Sequence, residues 1–259
     1  MNIAKVSEHI ISWLENYVSK AGLEGFVVGV SGGIDSAVTS ALCASTGKKV
    51  MVFNMPIYQK PEQFELSSRH ISWLEENFSN VTGSIIDLTE PFKAIENTYP
   101  KDIQDHLTMA NARARLRMTT LYAMAGHHKL LVAGTGNKVE DFGVGFFTKY
   151  GDGGVDLSPI ADLYKTEVWD LGKHLGVIDD IVKAAPTDGL WDDGRTDEDQ
   201  IGATYRELEW AMEFFRTNQD QDSLKGRQKE VMTLYQKLNR ANQHKMVPIP
   251  VCEIPEELK

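Results

Sequence analysis

The sequence predicts an α/β fold, a doubly wound parallel sheet with helices on both faces. Three observations carry this. Short apolar runs rich in β-branched residues alternate with longer helical stretches, the rhythm of parallel strands joined by helical crossovers. The first run ends in a glycine- and serine-rich turn that opens a helix of small residues, Ala37-Val38-Thr39-Ser40-Ala41-Leu42-Cys43-Ala44. Length agrees too: 259 residues, 42% of them apolar, can bury a full core, so a single domain over residues 1–259 is expected.

In chain order, Ile3, Val6, Ile10, Ile11, Leu14 and Val18 fall near helical spacing and predict an amphipathic first helix over 2–19, with Trp13 and Tyr17 at its apolar edge. Gly25-Phe26-Val27-Val28 reads as a buried strand. Gly29-Val30-Ser31-Gly32-Gly33-Ile34-Asp35-Ser36 follows it. Strand, turn and helix together suit an anion: glycines admit it close to the backbone, serine hydroxyls donate, and the N–H groups of the helix start point at it. A bare Gly-Gly would merely join strand to helix; the serines and Asp35 argue for more. No Gly-Lys-Ser/Thr follows, which excludes the Walker loop, and the spacing is not that of a dinucleotide turn. The stretch resembles the Ser-Gly-Gly-x-Asp-Ser loop of enzymes that split ATP between the α and β phosphates. That resemblance implies that residues 29–36 hold the leaving pyrophosphate while an oxygen nucleophile is adenylated.

Residues 49–56 form a second strand stopped by Pro56, a polar helix spans about 61–78, and 81–88 reads as a third strand. The longest helix candidate runs from Asp102 to about His127. Its Arg113 and Arg117 share a face, as a solvated basic stripe or a binding surface, while Arg115 points elsewhere. Leu130–Ala133 is a fourth strand. Residues 134–165 hold too many glycines for a helix and too many aromatics and charges for a linker, and ordered long loops tend to be functional. A helix over about 162–175 stops at Gly176. The glycine- and acid-rich stretch 186–198 leads to helices over about 198–215 and 223–243 and a proline-extended tail. The nucleotide-binding core thus covers about 25–190, and C-terminal helices and tail about 198–259.

A net charge of −10 without a basic tail argues against a nucleic-acid partner. No apolar run approaches the roughly 18 residues of a membrane span, and no signal peptide is evident, so a cytoplasmic enzyme is expected. Cys43 and Cys252 make neither a disulfide framework nor a metal site.

Together, SGGIDS, NARARLRM, GTGNKVE, GFFTKYGDGG, DLYK, APTDGLW with RTDE, and His244-Lys245 form an ordered series over about 25–246 that resembles the ammonia-dependent NAD synthetases. The resemblance implies a Rossmann-like fold of the adenine nucleotide alpha-hydrolase type. It implies a two-step reaction: the pyridine carboxylate of deamido-NAD attacks the α phosphate of ATP, and ammonia then displaces AMP from the acyl-adenylate. It places Gly29, Val30, Ser31, Gly32, Gly33, Ile34, Asp35 and Ser36 around the ATP phosphates, with Thr135, Lys165 and Thr187 also on ATP. Asp35 and Glu140 would hold magnesium; Asp35 and Lys165 would be catalytic, Lys165 supplying charge as the phosphates separate. Arg115, Lys149, Asp156, His244 and Lys245 would contact the pyridine substrate. Each has a plainer reading alone: Glu140 as a helix-start carboxylate, Lys149 as a surface cation, His244 as a solvated helix end. The loops carrying Phe146, Phe147 and Trp191 would shield the adenylate, with Gly151, Gly153 and Gly154 giving the first its freedom. A two-fold homodimer is also implied.

Three departures from the family pattern stand out. Val139 replaces a serine or alanine, Met246 replaces a basic residue, and one extra residue lies between Glu140 and Phe146, which puts the reach of Glu140 to the metal in question. The sequence leaves three alternatives: a mononucleotide acid as substrate, another adenylating enzyme such as a tRNA-modifying or GMP-forming relative, or a nucleotide-binding module without catalysis. With no nitrilase-type amidase segment, the nitrogen source is expected to be free ammonia or a separate protein.

Overall fold

The computed structural model describes residues 1–186 and 196–259. Four strands, β1 (Gly25–Gly29), β2 (Lys49–Asn54), β3 (Val81–Ile85) and β4 (Leu130–Val132), form a sheet of order β3-β2-β1-β4 with all neighbours parallel. All four fall where the apolar runs predict them. Alternation along the central strand sends Phe26 and Val28 to one face and Val27 to the other. Both faces are covered, so the run reads as continuously apolar.

On the first face pack α1 (Ile3–Ala21), α2 (Ile34–Ser45) and α6 (Lys165–His174), burying Leu14, Val18, Val38, Leu42 and Leu171. On the other, Val27, Phe53 and Val132 meet Phe92 of α4 (Thr89–Thr98) and Met109 and Ala125 of α5 (His106–His128). The helix α3 (Pro61–Asn77) crosses from β2 to β3, and the short α7 (Asp179–Lys183) follows α6. Among the described residues no helix is long and apolar enough to cross a membrane.

Several boundaries differ from the sequence expectations. The third strand stops at Ile85 rather than 88, because α4 begins at Thr89. The expectation passed over α4, a single amphipathic stretch with Pro91 in its first turn. The long helix starts at His106, not Asp102, since Asp105 accepts from Thr108 N as its cap and residues 101–103 form a separate 3-10 turn. The helix after the loop begins at Lys165, not 162. The stretch 198–215 is two helices, α8 (Asp197–Ile201) and α9 (Tyr205–Arg216), broken at Gly202 in the left-handed region and restarted by a capping box of Thr204 and Glu207. The last helix, α10, runs Gly226–Met246.

The glycine-rich segment after β4 is not all loop. Val139–Val144 forms a π-helical turn. A π turn holds one more residue per turn than an α-helix, and Glu140 lies in its first turn. A second apolar cluster forms here: Val139 and Val144 pack with Ile201, Tyr205, Leu208, Ala211, Val231 and Tyr235 of the C-terminal helices. Gly145 ends the turn at φ +66, where a Cβ would lie 2.3 Å from Asn242 Cβ; both the backbone and the packing require glycine.

Candidate active site

Residues 29–36 leave the carboxyl end of β1, where ligands bind in open parallel sheets. The start of the loop is pinned by Val30 N donating to Phe53 O at 2.8 Å and by Ser67 Oγ of α3 donating to Val30 O at 2.7 Å. Gly32 has φ +88, and a Cβ there would stand 3.1 Å from Gln63 O and Ser67 N. Within the loop, Ser31 N donates to Ser36 Oγ at 3.2 Å, Gly33 N to Ser31 Oγ at 3.3 Å, and Ser36 Oγ to Gly33 O at 3.0 Å. Gly33 caps α2 with no side-chain bond, so the N–H groups of Ile34, Asp35 and Ser36 face the turn uncapped by any side chain. This geometry suits an anion.

Asp35, at the first turn of α2, points into a buried cluster. Lys165 Nζ, at the start of α6, donates to Asp35 Oδ2 at 2.5 Å and to Glu140 Oε1 at 3.0 Å. The Lys165 side chain is 3% exposed, and those of Asp35 and Glu140 are 17% and 15%. The two carboxylates come from separate elements, α2 and the π turn, and meet on one ammonium. Burial pushes the Asp35 carboxyl above its ordinary value, against the pull of Lys165. Burial also acts on Glu140, but the Lys165 charge with the hydrogen bonds of Tyr205 and Asn137 outweighs it and holds Glu140 below its ordinary value. Burial disfavours the charged Lys165, yet the two carboxylates prevail and raise it. Two carboxylates share one ammonium, a donor set of hard oxygens with room for more positive charge. That fits magnesium, which takes one or two carboxylates and completes its shell with phosphate and water.

Two residues that the sequence reading left without a role complete the cluster. Asn137 is buried; its Nδ2 donates to Asp35 Oδ1 at 3.3 Å, while its Oδ1 accepts from Val139 N and Glu140 N at 3.1 and 3.2 Å. It therefore starts the π turn and touches the other carboxylate. Tyr205, fully buried at the start of α9, donates its hydroxyl to Glu140 Oε1 at 2.5 Å. The Thr204 capping box was the sequence signal for Tyr205, hidden by reading 198–215 as one helix. Asn137 lay inside the GTGNK motif.

Four of the five expected substrate residues, Arg115, Lys149, His244 and Lys245, gather around the loop 146–154 and the end of α10, and Asp156 does not. Lys149 Nζ donates to His244 O at 2.7 Å, and Arg115 Nε donates to Lys149 O at 3.3 Å. His244 itself is exposed. Lys245 Nζ donates to Gly145 O and, at 2.7 Å, to Phe147 O, with the Phe147 ring 4.9 Å away. Asn239 and Asn242 donate to Gly143 O and Val144 O at 2.7 and 2.8 Å. The cation of Lys245 thus works with these amides to tie α10 to the turn. Asp156 is held by Tyr122 Oη at 3.0 Å and Val132 N at 2.8 Å, which fixes the end of β4. Thr135 is half-buried just beyond β4. Thr187 and Trp191 lie outside the described residues.

A profile of the NAD synthase family matches residues 6–248. An NH(3)-dependent NAD(+) synthetase of Carboxydothermus hydrogenoformans is 40% identical over 214 residues, 81% of this chain and 85% of that one. Another, from Methanosarcina acetivorans, is 36% identical over 98% of this chain and 100% of its own. Among solved structures, an NMN synthetase from Francisella tularensis superposes with a TM-score of 0.84 at 31% identity, covering 99% of each chain. Motifs, sheet order and these likenesses agree. The chain belongs to the NAD synthase family and is an enzyme, a ligase that forms a carbon–nitrogen bond.

Proposed function

We propose that this chain amidates the pyridine carboxylate of deamido-NAD with free ammonia, using ATP and releasing AMP and pyrophosphate. The observation that carries the reading is the convergence of Asp35 and Glu140 on Lys165 beside the uncapped start of α2. A carboxylate is a poor acyl donor because oxide would have to leave; a mixed anhydride with AMP supplies a good leaving group. The substrate's carboxylate oxygen attacks the α phosphorus, and the bond to the pyrophosphate oxygen breaks. Ammonia then attacks the carbonyl carbon, AMP departs with the former carboxylate oxygen, and one proton is lost to give the amide.

The backbone N–H groups and serine hydroxyls of residues 31–36 bind the β and γ phosphates and hold the leaving group in line. Lys165 neutralises charge on the separating pyrophosphate. Asp35 and Glu140 would hold magnesium, which when bound offsets the clustered phosphate charge. Lys149, Arg115 and the end of α10 orient the pyridine acid. The loop with Phe146 and Phe147 keeps water from the adenylate.

A second reading, with the mononucleotide acid as substrate, is favoured by the likeness to the Francisella NMN synthetase over the whole chain. Both readings use the same adenylating site and differ only in what extends beyond the pyridine ribose. Incubation with ATP, magnesium, ammonia and each acid in turn tests them: pyrophosphate and amide should form with one acid at much higher kcat/KM. Pyrophosphate release that ignores both acids would overturn the proposal.

We also propose a two-fold homodimer. Trp13 and Tyr17 on α1 are 38% and 39% exposed, and Ile103 and Leu107 at the entry to α5 are 44% and 65% exposed. Such apolar surface suits a symmetric interface. Light scattering at micromolar concentration should give twice the 29.0 kDa chain mass, and a single-chain mass would count against it.

A further inference from the structure

We propose that Tyr205 is a positioning residue for the metal site, acting through Glu140. The inference rests on the magnesium site proposed above and adds a residue from another part of the chain to it. Tyr205 lies 65 residues beyond Glu140 and belongs to the C-terminal cluster, not to the sheet. Its ring is fully buried and meets Trp169 edge-on at 6.1 Å. Packing alone would be served as well by phenylalanine, yet a hydroxyl is present and directed: it donates to Glu140 Oε1 at 2.5 Å and lies 3.5 Å from Asp197 Oδ2.

Lys165 Nζ binds the same Oε1 and stands 4.8 Å from the centre of the Tyr205 ring. Tyr205 therefore touches two of the three members of the carboxylate–ammonium–carboxylate cluster, Glu140 through its hydroxyl and Lys165 through its ring face. Two donors on one oxygen fix the carboxylate plane of Glu140, which its own short π turn would otherwise leave to rotate. With Oε1 so held, Oε2 is the oxygen that would meet the metal. Outer-shell hydrogen bonds of this kind orient metal-binding carboxylates, and losing one typically weakens metal affinity 10- to 100-fold.

Tyr205→Phe keeps the ring, the Trp169 contact and the face towards Lys165, and removes only the hydroxyl. The probe is Mn2+ in place of Mg2+, with the non-cleavable α,β-methylene analogue of ATP, and free Mn2+ read by electron spin resonance. The expected result is binding about tenfold weaker in Tyr205→Phe than in the wild type. The melting temperature without metal should move by no more than about 4 °C, since one hydrogen bond is worth about 1 kcal/mol. In a Glu140→Gln background the same substitution should change Mn2+ binding by less than about twofold, because effects that run through one partner are not additive.

Unchanged Mn2+ affinity in Tyr205→Phe would overturn the proposal even if stability or turnover fell. A loss that persists in full beside Glu140→Gln would also overturn it. If the wild type binds Mn2+ no better than Asp35→Asn does, the metal site itself fails and this inference with it, a result seen before Tyr205 is touched.

Discussion

Residues 29–36 and residues 137–147 both end at the ammonium of Lys165, but they are held by different kinds of contact. In the first, the hydrogen bonds of the turn run among Ser31, Gly33 and Ser36, within six consecutive residues. Val30 bonds to β2 and α3, and Gly32 lies close against α3. In the second, the start is local, through Asn137, but the rest is held from far along the chain by Asn239, Asn242, Lys245 and Tyr205. The turn at 29–36 is a local device that a short motif can encode. The carboxylate turn is held by side chains of the C-terminal helices. Asp35 is therefore set by the sheet and Glu140 by contacts with the C-terminal cluster, and Lys165 joins them.

The largest expected effect comes from cutting that joint. Lys165→Met would leave Asp35 and Glu140 facing each other in a buried site. Removing one partner of a buried ion pair costs about 3–5 kcal/mol. Urea melts should show this loss at pH 7 and partial recovery at lower pH, as Asp35, already raised by burial, takes a proton. A melt like the wild type's would show that the two halves are not joined there. Next, Asp35→Asn keeps the local turn and Lys165 paired with Glu140, so the fold should persist while pyrophosphate release falls by about two to three orders of magnitude. Wild-type-like turnover would remove Asp35 from the site.

The two halves should also answer pH with opposite signs. His70, behind the loop and bonded to Ser40 Oγ at 2.9 Å, is held down to about 4 by burial, against an ordinary 6.5. Its folded value lies below its unfolded one, so its contribution is complete above pH 6.5 and is lost as pH falls towards 4, about 3 kcal/mol in all. Asp141, on the carboxylate turn, is pushed up to about 8 by burial and then by Glu140, Asp152 and Asp35, with Lys245 opposing. Its folded value lies above its unfolded one, so its contribution is complete below about 3.8 and is lost as pH rises through 8. His70→Gln should flatten the stability slope between pH 6.5 and 4, and Asp141→Asn the slope approaching 8. The reverse assignment would contradict the comparison.

The smallest effect concerns the rim shared by the loop 146–154 and α10. Lys149→Ala should raise the KM for the pyridine acid about tenfold, the value of one charge-assisted hydrogen bond, and leave the KM for ATP within about twofold. Equal increases in both would place Lys149 in the fold or on ATP, and no change would make it only a strut for His244.

The same contrast explains what the sequence disclosed. The four strands, the turn at 29–36 and the partners Asp35, Glu140 and Lys165 were legible because apolar runs and short motifs encode them. The π turn was not, since its glycines read as loop and its i,i+5 bonding leaves no periodic mark. Tyr205 and the role of Lys245 as a tie to Gly145 and Phe147 were hidden because each depends on a contact about 65 to 100 residues away. The helix α4 was missed because only Phe92 of its residues is buried.

The central claim is that the substrate's carboxylate is captured on the α phosphorus of ATP. It is tested most directly with a pyridine acid labelled with oxygen-18 in its carboxylate, turned over with ATP, magnesium and ammonia. Mass spectrometry should find one labelled oxygen in AMP and none in pyrophosphate. Label in inorganic phosphate with ADP as the nucleotide product would mean attack at the γ phosphorus and would contradict the account.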